Sequence, residues 1–575
     1  MSILAAWRIA PPAPDEYLLQ ARHDGARLDP LLAQILYNRG VADPAGFLFE
    51  TGADDLKQRL LQADLLDLDR GANRIVQAIA RGEQICIYGD FDADGVTSTA
   101  LMIEALSWLG ANVRAYIPDR VDEGYGLNIP ALKRLASEGV SLVVTVDCGV
   151  RSVSEIEAVL EDQLDIVVTD HHSVGEALPP AFAVVNPQRP DSDRHEPYRH
   201  IAGVSVALLM ALRVLRIAGW PNGHRLSDLL DLVAIGTVAD VMRLNDPLNR
   251  RLVIHGLNVI NERRRLGLDA LLHAAGFKGT VTAETIGFVI GPRINAAGRL
   301  ASGMIAFELL TTRDQATANH LAKELERLNV DRQGRMRIAR DRIRDSLMIT
   351  GDIDAPLIFA QDDEVEPGIV GLVAGQLTQE LYRPSIILHR EQETSRASCR
   401  SIPEFHITRA LDACADLLLR HGGHALAAGF TVANENVPLL RERLLRAARE
   451  AFSGLTLAPV RRIDASLSLS KATLELAEKL ATLEPFGHHF EAPLFFSGGV
   501  RMAFPKVLKD RHLKMRLIEG SVAAVEAIAF NQADFLNLWN GQPVDVVYRL
   551  TVNEYNGRRS AQLNVEDMRL TGSHV

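Results

Sequence analysis

Three aspartates stand at alternate positions directly after an apolar run. They are Asp90, Asp92 and Asp94, in the stretch ICIYGDFDADGVTST. Like charges packed this closely repel one another, and burying them unpaired costs free energy. One aspartate after a strand commonly caps a helix or forms an Asx-turn, but a single cap does not need three carboxylates. A divalent cation would remove the repulsion, and oxygen ligands favour Mg²⁺ or Mn²⁺.

Further ligand-type residues follow other apolar runs of the chain. TVDCG supplies Asp147, VVTDHH supplies Asp170, His171 and His172, and the more distant IGTVADV supplies Asp240. A lone histidine is usually structural, but two adjacent histidines after an aspartate are harder to explain as core residues. An imidazole among carboxylates shifts the preference toward Mn²⁺. Such a set fits two cations about 3.5–4 Å apart, which together stabilise the attacking and leaving oxygens of a phosphoryl displacement.

The elements that would position these residues alternate between strand and helix from about 85 to 187. Short β-branched runs such as LVVTVDCG are separated by helical patterns such as IPALKRLASEG. This alternation predicts a parallel sheet with helices on both faces, which binds its ligands beyond the carboxyl ends of the strands. Asp90, Asp147 and Asp170 each follow such a run, so we expect them to meet at one edge of the sheet.

Patterns outside this region predict four more parts, in an α/β chain. A helical lead-in precedes the sheet domain, and a long proline-free helical pattern connects it to a second, smaller α/β domain. Short alternating strands at the C-terminus predict an OB-like β-barrel. The predicted boundaries are 1–50 for the lead-in, 51–300 for the parallel-sheet domain, 301–348 for the connecting helix, 349–455 for the smaller domain and 456–575 for the barrel.

Composition restricts the class of protein. The 575 residues carry a formal net charge of -11, which argues against a wholly basic nucleic-acid coat but allows a local basic groove. Four cysteines without a CxxC pair suit a reducing compartment. The N-terminus lacks a signal-peptide layout, and no apolar run is long enough to cross a bilayer. We therefore expect a cytoplasmic protein that does not bind membranes.

The motifs together resemble the DHH phosphoesterase superfamily. DHH at 170–172, GDFDADG, VDCG and VAD match its first domain, and GGHALAAGF at 422–430 is similar to the glycine-rich signature of its partner domain, DHHA1. With the barrel and GPRINAAGRL, most of the chain resembles the single-strand-specific 5′→3′ DNA exonucleases of that superfamily. The resemblance implies two bound cations, Mn²⁺ or Mg²⁺. The implied ligands are Asp90, Asp92, Asp94, Asp147, His171 and Asp240.

The resemblance also assigns catalytic roles. Asp147 would bridge the two ions, His172 would lie near the scissile phosphate, and Asp170 would orient a histidine. Four residues match positions around the 5′ end of the strand in such exonucleases: Arg120, Tyr125, Ser398 and Arg400.

Two small-residue segments could hold the rest of the strand. GPRINAAGR offers Arg293, Asn295 and Arg299, and arginine grips phosphate in a bidentate manner. The alternative for this segment is a tight loop with solvated arginines. GGHALAAG offers His424 as a phosphate donor, or it forms a packing turn. The arginine-rich stretch near the end of the connecting helix, which includes Arg332, is interpreted as a solvated face and is left out of the site.

One departure from the family pattern concerns the segment before PGIVGLVAG. Relatives usually carry a Trp-His pair there, whereas this chain has Val365 and Glu366. The role of that histidine is therefore not carried over to this chain.

The resemblance implies a single-stranded-DNA exonuclease that releases 5′-mononucleotides in DNA repair and recombination. It also implies a monomer, with single-strand-binding protein and a RecQ-type helicase as partners. One alternative is a DHH enzyme that acts on short oligoribonucleotides, cyclic dinucleotides or pyrophosphate, although such relatives are generally shorter or carry membrane and sensor segments. Another is a binding protein of the same fold that has lost catalysis, which would be expected to lack ligands.

Overall fold

The computed structural model describes residues 5–23, 26–48, 52–120, 122–191, 197–520, 523–538, 541–555 and 557–573. In these ranges the chain forms α/β domains joined by a long helix, followed by a β-barrel, as the sequence predicts. None of the helices in the described ranges is long and apolar enough to span a bilayer.

The N-terminal segment is helical and also contributes a strand to the C-terminal domain. β1 pairs in parallel with β14, Val460–Ile463, of that domain, and Leu36 and Phe47 share a hydrophobic core with Phe490 of the barrel domain. The predicted end of the lead-in at residue 50 lies outside the described residues. The elements are β1 Ala6–Ile9, α1 Asp15–Gln20, β2 Arg22–His23, β3 Ala26–Arg27, α2 Pro30–Asn38, α3 Pro44–Leu48 and α4 Ala53–Leu61.

The first α/β domain contains a five-stranded, fully parallel sheet in the order β5-β4-β6-β7-β8. Alternate side chains of β4 enter two separate cores. Ile85 and Ile87 pack under α5, α6 and α9, whereas Cys86 and Tyr88 pack under α7 and α8. The elements are α5 Leu68–Arg81, β4 Gln84–Gly89, α6 Ala93–Ser107, β5 Val113–Tyr116, α7 Ile129–Ser137, β6 Val140–Val146, α8 Val153–Glu157, β7 Asp165–Thr169 and β8 Ala183–Val185.

Helices complete this domain and lead to the connecting helix. A π-helical turn, Ile286–Ile290, runs directly into α14, so GPRINAAGR forms a helix rather than a loop. The helices are α9 Gly203–Ala218, α10 Leu230–Ala239, α11 Pro247–Asn261, α12 Leu266–Ala274, α13 Ala283–Thr285, α14 Gly291–Leu300, α15 Gly303–Thr311 and the connecting helix α16 Gln315–Thr350. α16 begins at its N-cap Asp314, whose carboxylate accepts from Thr317 N at 2.7 Å.

The smaller domain has a five-stranded mixed sheet in the order β12-β13-β11-β10-β9. Ion pairs tie it to the C-terminal half of α16, among them Arg342 with Asp362 at 2.7 Å. Its elements are β9 Ile358–Gln361, α17 Val370–Leu381, β10 Ser385–Arg390, β11 Thr394–Arg400, α18 Ile407–Asp412, β12 Leu418–His424, β13 Ala427–Ala433 and α19 Val437–Ala451.

The C-terminal domain is a closed barrel of five strands. β16 pairs with both β17 and β19, and β18 and β20 complete the circle. Closure leaves no free edge among these strands, as expected for a small barrel. The elements are β14 Val460–Ile463, β15 Ala465–Ser466, α20 Leu474–Ala481, β16 Phe495–Leu508, β17 His512–Glu519, β18 Ala523–Ala529, β19 Val544–Tyr555 and β20 Arg558–Leu570.

Candidate active site

The candidate site lies at the carboxyl ends of three neighbouring strands of the parallel sheet. Asp90 follows β4, Asp147 follows β6 and Asp170 follows β7. Because β4, β6 and β7 are adjacent and parallel, the three carboxylates meet at one edge of the sheet. Asp147 has φ 62°, a left-handed conformation that aspartate adopts more readily than most residues and that turns the chain sharply after β6.

The three closely spaced aspartates have different structural roles. Asp92 is the N-cap of α6, and its Oδ1 accepts from Asp94 N at 2.9 Å and Gly95 N at 3.1 Å. Asp94 is held by the N-terminus of α9, where Gly203 N and Val204 N donate to its carboxylate at 2.7 and 2.9 Å. Asp90 is 4% exposed, and its Oδ1 has no hydrogen-bond partner among the described residues. Helix capping therefore explains Asp92 alone.

Three groups of three residues place their ligand atoms within 4.8 Å of one another, and two of these groups have no residue in common. His171 connects them, because its Nε2 lies 3.1 Å from Asp147 Oδ1 and 3.5 Å from Asp240 Oδ2. One group is Asp90, Asp92 and Asp147, and the other is Asp94, His171 and Asp240. A third possible group combines Asp147 with both histidines.

Four buried atoms at this edge lack a hydrogen-bond partner in the described part of the chain. They are Asp90 Oδ1, Asp147 Oδ1, Asp240 Oδ2 and His171 Nε2. Buried polar atoms are normally satisfied, so this many unsatisfied atoms in one place needs an explanation. All four are ligand atoms that divalent cations accept, so these residues fit a metal centre.

Burial and charge repulsion perturb the acids of this cluster. Burial first, and neighbouring carboxylates next, raise the pKa of Asp94 to about 7 and that of Asp240 to about 9. Burial also raises the pKa values of Asp90 and Asp147 well above the ordinary range, with Asp92 and Asp94 respectively as the next causes. Carboxylates that cannot all be ionised together without a counter-charge are poised to take up cations.

The two histidines differ in charge because their surroundings differ. Burial lowers the pKa of His171 to about 4, so His171 is neutral and its Nε2 lone pair can serve a metal. A backbone hydrogen bond with Ile201 engages the same ring and fixes its orientation. Burial also acts to lower the pKa of His172, but its Nδ1 donates to Asp170 Oδ1 at 2.8 Å, and this contact prevails and raises the pKa to about 9.

Asp170 orients the DHH segment rather than facing a metal. Its Oδ1 accepts from His171 N at 2.7 Å and His172 N at 3.0 Å, and its Oδ2 accepts from Val150 N at 2.9 Å. Burial acts to raise its pKa, but His172 and the backbone donors prevail and lower it to about 2. Asp170 is therefore ionised and keeps the neighbouring imidazolium in place.

The metal-free protein should lose thermal stability as the pH rises from 6 to 9. The folded pKa values of Asp94 and Asp240, about 7 and about 9, lie above the value of roughly 3.9 for an unfolded aspartate. The folded state then binds protons that the unfolded state has released. The stabilising contribution is complete below about pH 4 and is lost as the pH rises through about 7 and then about 9.

Melting curves in EDTA at pH 6, 7.5 and 9 test this expectation. Added Mn²⁺ should restore the melting temperature most strongly at pH 9, where the ligands are ionised. Asp240→Asn should flatten the decline, because it removes one of the two titrating carboxyls. A melting temperature that is independent of pH in EDTA would contradict the interpretation of this cluster.

A group of arginines lies beside the acidic cluster, in the cleft between the two α/β domains. Arg120 stacks over the Phe91 ring at 4.7 Å, and Asp90 and Asp92 are close enough to affect its pKa, which burial lowers. Arg400 Nη1 donates to Ser398 Oγ at 3.3 Å, and the charge of Arg120 reaches it across the domain boundary. The structure thus brings together three of the residues predicted around the 5′ end.

The N-terminus of α17 abuts this pair in the smaller domain. A Cβ on Gly371 would lie 2.9 Å from Ser398 Oγ and 3.1 Å from Arg400 Nη2, so the glycine allows the close approach. Tyr125, on the other side, is 56% exposed, and its hydroxyl lies 3.3 Å from His172 Nδ1. An open cavity of about 540 Å³ beside Tyr125 is lined by both domains, with Arg420 from the smaller one.

The polar residues of GPRINAAGR contact different parts of the fold. Arg293 is ion-paired to Glu326 of α16 and donates to Val289 O at 2.8 Å. Asn295 Oδ1 accepts from Ala93 N at 2.7 Å and so supports the loop that carries Asp92. Arg299 donates to Gly368 O at 3.1 Å across the domain boundary.

His424 is exposed at the end of β12, and no described contact joins its imidazole to the aspartates. Its backbone oxygen accepts from Thr408 Oγ1 at 2.6 Å. The preceding Gly423 has φ 144°, and a Cβ there would lie 2.5 Å from Ala428 Cα. Gly423 therefore serves the β12–β13 hairpin.

Val365 and Glu366, which stand where relatives usually carry a Trp-His pair, both contact other parts of the fold. Val365 is buried in the core between α16 and the smaller domain, and Glu366 is ion-paired to Arg335 of α16.

Two contributors to the site escape prediction from the sequence. Arg332 of α16, excluded as part of a solvated face, is 9% exposed and lies near Arg299. Gly203 carries no chemical group that would mark it as a site residue, yet a Cβ there would lie 2.4 Å from Asp147 Oδ1. Gly203 is the first residue of the apolar helix α9, which is a weak sequence signal, and Arg332 gives none, because only tertiary packing buries it.

Comparisons with known proteins agree with this geometry. Three family models match the chain: the DHH family N-terminal domain over 84–237, the DHHA1 domain over 354–453 and the RecJ OB domain over 463–567. The fold and the site thus define a DHH phosphoesterase with DHHA1 and OB domains.

Individual relatives show which family of DHH phosphoesterases includes this chain. Single-stranded-DNA-specific exonuclease RecJ of Bacillus subtilis is 34% identical over 562 residues, which is 96% of this chain and 70% of that protein. Its Escherichia coli counterpart is 34% identical over 569 residues, covering 94% and 96%. The crystal structure of Thermus thermophilus RecJ with Mn²⁺ superposes with a TM-score of 0.81 at 30% identity, covering 99% of this chain and 81% of that one. The chain belongs to the RecJ family.

Proposed function

We propose that this protein is a metal-dependent exonuclease that hydrolyses single-stranded DNA from its 5′ end and releases 5′-mononucleotides. The observation that carries this proposal is the pair of three-residue ligand groups beside an arginine-lined cleft. Its RecJ relatives are named single-stranded-DNA-specific exonucleases, and Thermus RecJ has been crystallised with Mn²⁺ and with Mg²⁺. A role in DNA repair and recombination is part of the proposal.

Two divalent cations, Mn²⁺ or Mg²⁺, would be held by the six ligand residues Asp90, Asp92, Asp94, Asp147, His171 and Asp240. Asp147 belongs to two of the three possible ligand groups and lies 3.1 Å from His171 Nε2, which suits a bridging ligand. Bound cations would lower the pKa of a water and offset the charge of the phosphate oxygens.

His172 and Asp170 supply the protein's own charge near the scissile phosphate. His172 is cationic at neutral pH, 38% of its side chain is exposed, and it can donate to a phosphate oxygen. Asp170 holds its Nδ1 side, which leaves Nε2 to face the strand. Because Asp170 is ionised and buried, the imidazolium keeps this orientation without reorganisation during the reaction.

A pocket for the 5′-terminal phosphate explains the release of mononucleotides. Arg120, Ser398 and Arg400 come from both domains, and the first turn of α17 lies against Ser398 and Arg400. Helix N-termini and guanidinium groups both favour a phosphate. Holding the terminus at a fixed distance from the ligand cluster selects the first phosphodiester bond for cleavage. Tyr125 would stack against the terminal nucleotide, and Arg293, Asn295, Arg299 and His424 are assigned to the path of the strand.

The closed barrel should add affinity for the strand. Lys506 and Lys514 are paired directly across β16 and β17, and Phe504 beside them is 77% exposed. Two like charges opposite each other destabilise a sheet unless an anion or a carboxylate compensates. Glu526 compensates Lys514 in part, at 3.3 Å. Lys509 and Arg511 at the hairpin tip extend the same basic surface.

Replacing Lys506 and Lys514 together with glutamine should weaken DNA binding but leave turnover at saturating DNA unchanged. The dependence of log K on log salt should become shallower by about 0.7 for each phosphate that the variant no longer binds. Fluorescence anisotropy with a labelled single strand at several salt concentrations measures both. Lys471→Gln, exposed in the same domain, is the matched control. Point variants are preferable to deleting the barrel, because its core is shared with Leu36 and Phe47.

The activity itself is tested by digestion of end-labelled substrates with Mn²⁺ or Mg²⁺. Single-stranded DNA should be degraded to 5′-mononucleotides, and a duplex of the same sequence should be resistant. Short oligoribonucleotides and cyclic dinucleotides are the comparison substrates, because other DHH enzymes act on them. Faster hydrolysis of either of these than of single-stranded DNA would refute the proposal. Binding of DNA without any hydrolysis would indicate a non-catalytic member of the fold.

Location, partners and domain division extend this proposal. The four cysteines are free and buried, which supports a reducing compartment, and we assign the protein to the cytoplasm. We propose a monomer that acts with single-strand-binding protein and a RecQ-type helicase. The proposed domains are those expected from the sequence, at 1–50, 51–300, 301–348, 349–455 and 456–575.

A further inference from the structure

Four arginines from four separate segments gather in the cleft next to the acidic cluster. Arg120 follows β5, Arg299 lies near the end of α14, Arg332 lies in α16 and Arg400 ends β11. None of the four forms an ion pair within 4.0 Å with a carboxylate of the described residues. Burial lowers the pKa of Arg299 to about 10, and the charges of Arg120, Arg332 and Arg400 contribute to the shift. We call these four residues the arginine cluster.

The packing of α14 on α16 places Arg332 beside Arg299. Arg293 of α14 is ion-paired with Glu326 of α16. Arg299 and Arg332 each come six residues later, which is a rise of about 9 Å along either helix. The first contact between these helices is an ion pair, and positive charges gather beyond it, because Arg332 contributes to the lowered pKa of Arg299 and Arg293 contributes to the lowered pKa of Arg332.

Arg332 is poorly satisfied for a buried cation. It is 9% exposed, its Nη2 donates to Asn329 Oδ1 at 2.8 Å, and Asn329 is itself 1% exposed. Its Nε is buried without a hydrogen-bond partner in the described ranges. A buried charge without a partner is strongly unfavourable, so a ligand that brings negative charge into the cluster would relieve it.

Terminal phosphate is the anion that fits this excess of charge. A phosphate monoester carries about −1.5 to −2 at pH 7, whereas an internal phosphodiester carries a single negative charge. Repulsion among guanidinium groups raises the energy of the empty cluster, and a dianion cancels more of that repulsion than a monoanion does. We propose that Arg332 is a positioning residue of the 5′-phosphate pocket, an inference that rests on the proposed function. Arg332 holds Arg299 toward the terminal phosphate, and the pocket therefore favours a monoester over a diester.

The test uses Arg332→Met, which removes the charge and keeps much of the side-chain volume. Removing a buried charge that has no ion-pair partner offsets the loss of its hydrogen bond to Asn329, so the variant should fold. Its preference for a 5′-phosphate over a 5′-hydroxyl strand, expressed as a ratio of kcat/KM values, should fall about tenfold. The rate on 5′-hydroxyl strands should change less than twofold. Arg332→Lys restores the charge and should recover part of the ratio.

Arg327→Gln is the matched control, because Arg327 lies on the same helix but is exposed and paired with Glu324. It should leave the ratio at the wild-type value. An unchanged ratio in Arg332→Met, or an equal loss on both kinds of end, would overturn the assignment.

Binding affinities of the two strands, measured by anisotropy without divalent metal, give the same comparison without hydrolysis. Here too the wild type should bind the 5′-phosphorylated strand more tightly, and Arg332→Met should lose that difference. If the protein hydrolyses neither strand, and Arg332→Met still loses the difference in binding affinity, the exonuclease proposal is refuted and the role of Arg332 in the pocket stands. If the protein hydrolyses DNA but Arg332→Met changes neither the ratio of kcat/KM values nor the ratio of affinities, only the proposed role of Arg332 is refuted.

Discussion

Asp147→Asn should lower turnover on single-stranded DNA by about three orders of magnitude and leave the fold intact. Asp147 takes part in two of the three possible ligand groups, and its Oδ1 is one of the four unsatisfied buried atoms. Loss of one preorganised charged group at a phosphoryl-transfer centre removes stabilisation of both the attacking and leaving oxygens. Asparagine tolerates the φ of 62° better than alanine does, so the effect can be attributed to the lost charge.

The measurement combines turnover at saturating Mn²⁺, metal content and thermal melting. In EDTA the variant should melt no lower than wild type at pH 9, because one member of a repelling carboxylate cluster has been removed. Asp147→Ala should show the same loss of activity. Asp162→Asn, exposed in the same domain, should behave as wild type. Full activity of Asp147→Asn with unchanged metal content would show that the reaction does not depend on this cluster.

Arg400→Ala should abolish a preference for 5′-phosphorylated ends. A hydrogen bond to a charged group contributes about 1.5–3 kcal/mol, so wild type should favour a 5′-phosphate over a 5′-hydroxyl by about tenfold to a hundredfold. Arg400 lies against Ser398 and Gly371 and faces Arg120 of the other domain, so it is placed to hold a phosphate from the far side of the cleft. The rate on 5′-hydroxyl strands should be much less affected, because that substrate does not use the contact.

Matched single strands that differ only at the 5′ end give the required rates. Arg396→Ala is the control on the same strand, since Arg396 is 64% exposed on its side chain and paired with Glu391. Equal wild-type rates on the two kinds of 5′ end, or digestion from the 3′ end, would show that these arginines bind internal phosphates instead. The preference should also disappear in Arg120→Ala if the two domains share one pocket.

Local sequence was sufficient to predict that the acidic residues lie together at one edge of the sheet. Asp90, Asp147 and Asp170 each follow a β-branched run, and neighbouring parallel strands end at the same edge of a sheet, so proximity follows from topology. Strand–helix alternation predicted a sheet covered on both faces, and Ile85 and Ile87 alternate with Cys86 and Tyr88 to fill the two cores. A second α/β pattern likewise predicted the smaller domain, and short alternating strands predicted the barrel.

Only the tertiary structure decided which polar groups join that edge from distant segments. Asp92 could not be distinguished from a helix cap by its sequence, and it is both a cap and a candidate ligand. Arg293 and Arg299 have the same residue type in one motif, yet a facing Glu326 neutralises the first, and no carboxylate of the described residues pairs with the second. The sequence pattern predicted that Arg332 is solvated like its neighbours, whereas packing against α14 buries it. Burial and partners depend on which helices touch, and a local pattern contains no information about contacts across the chain.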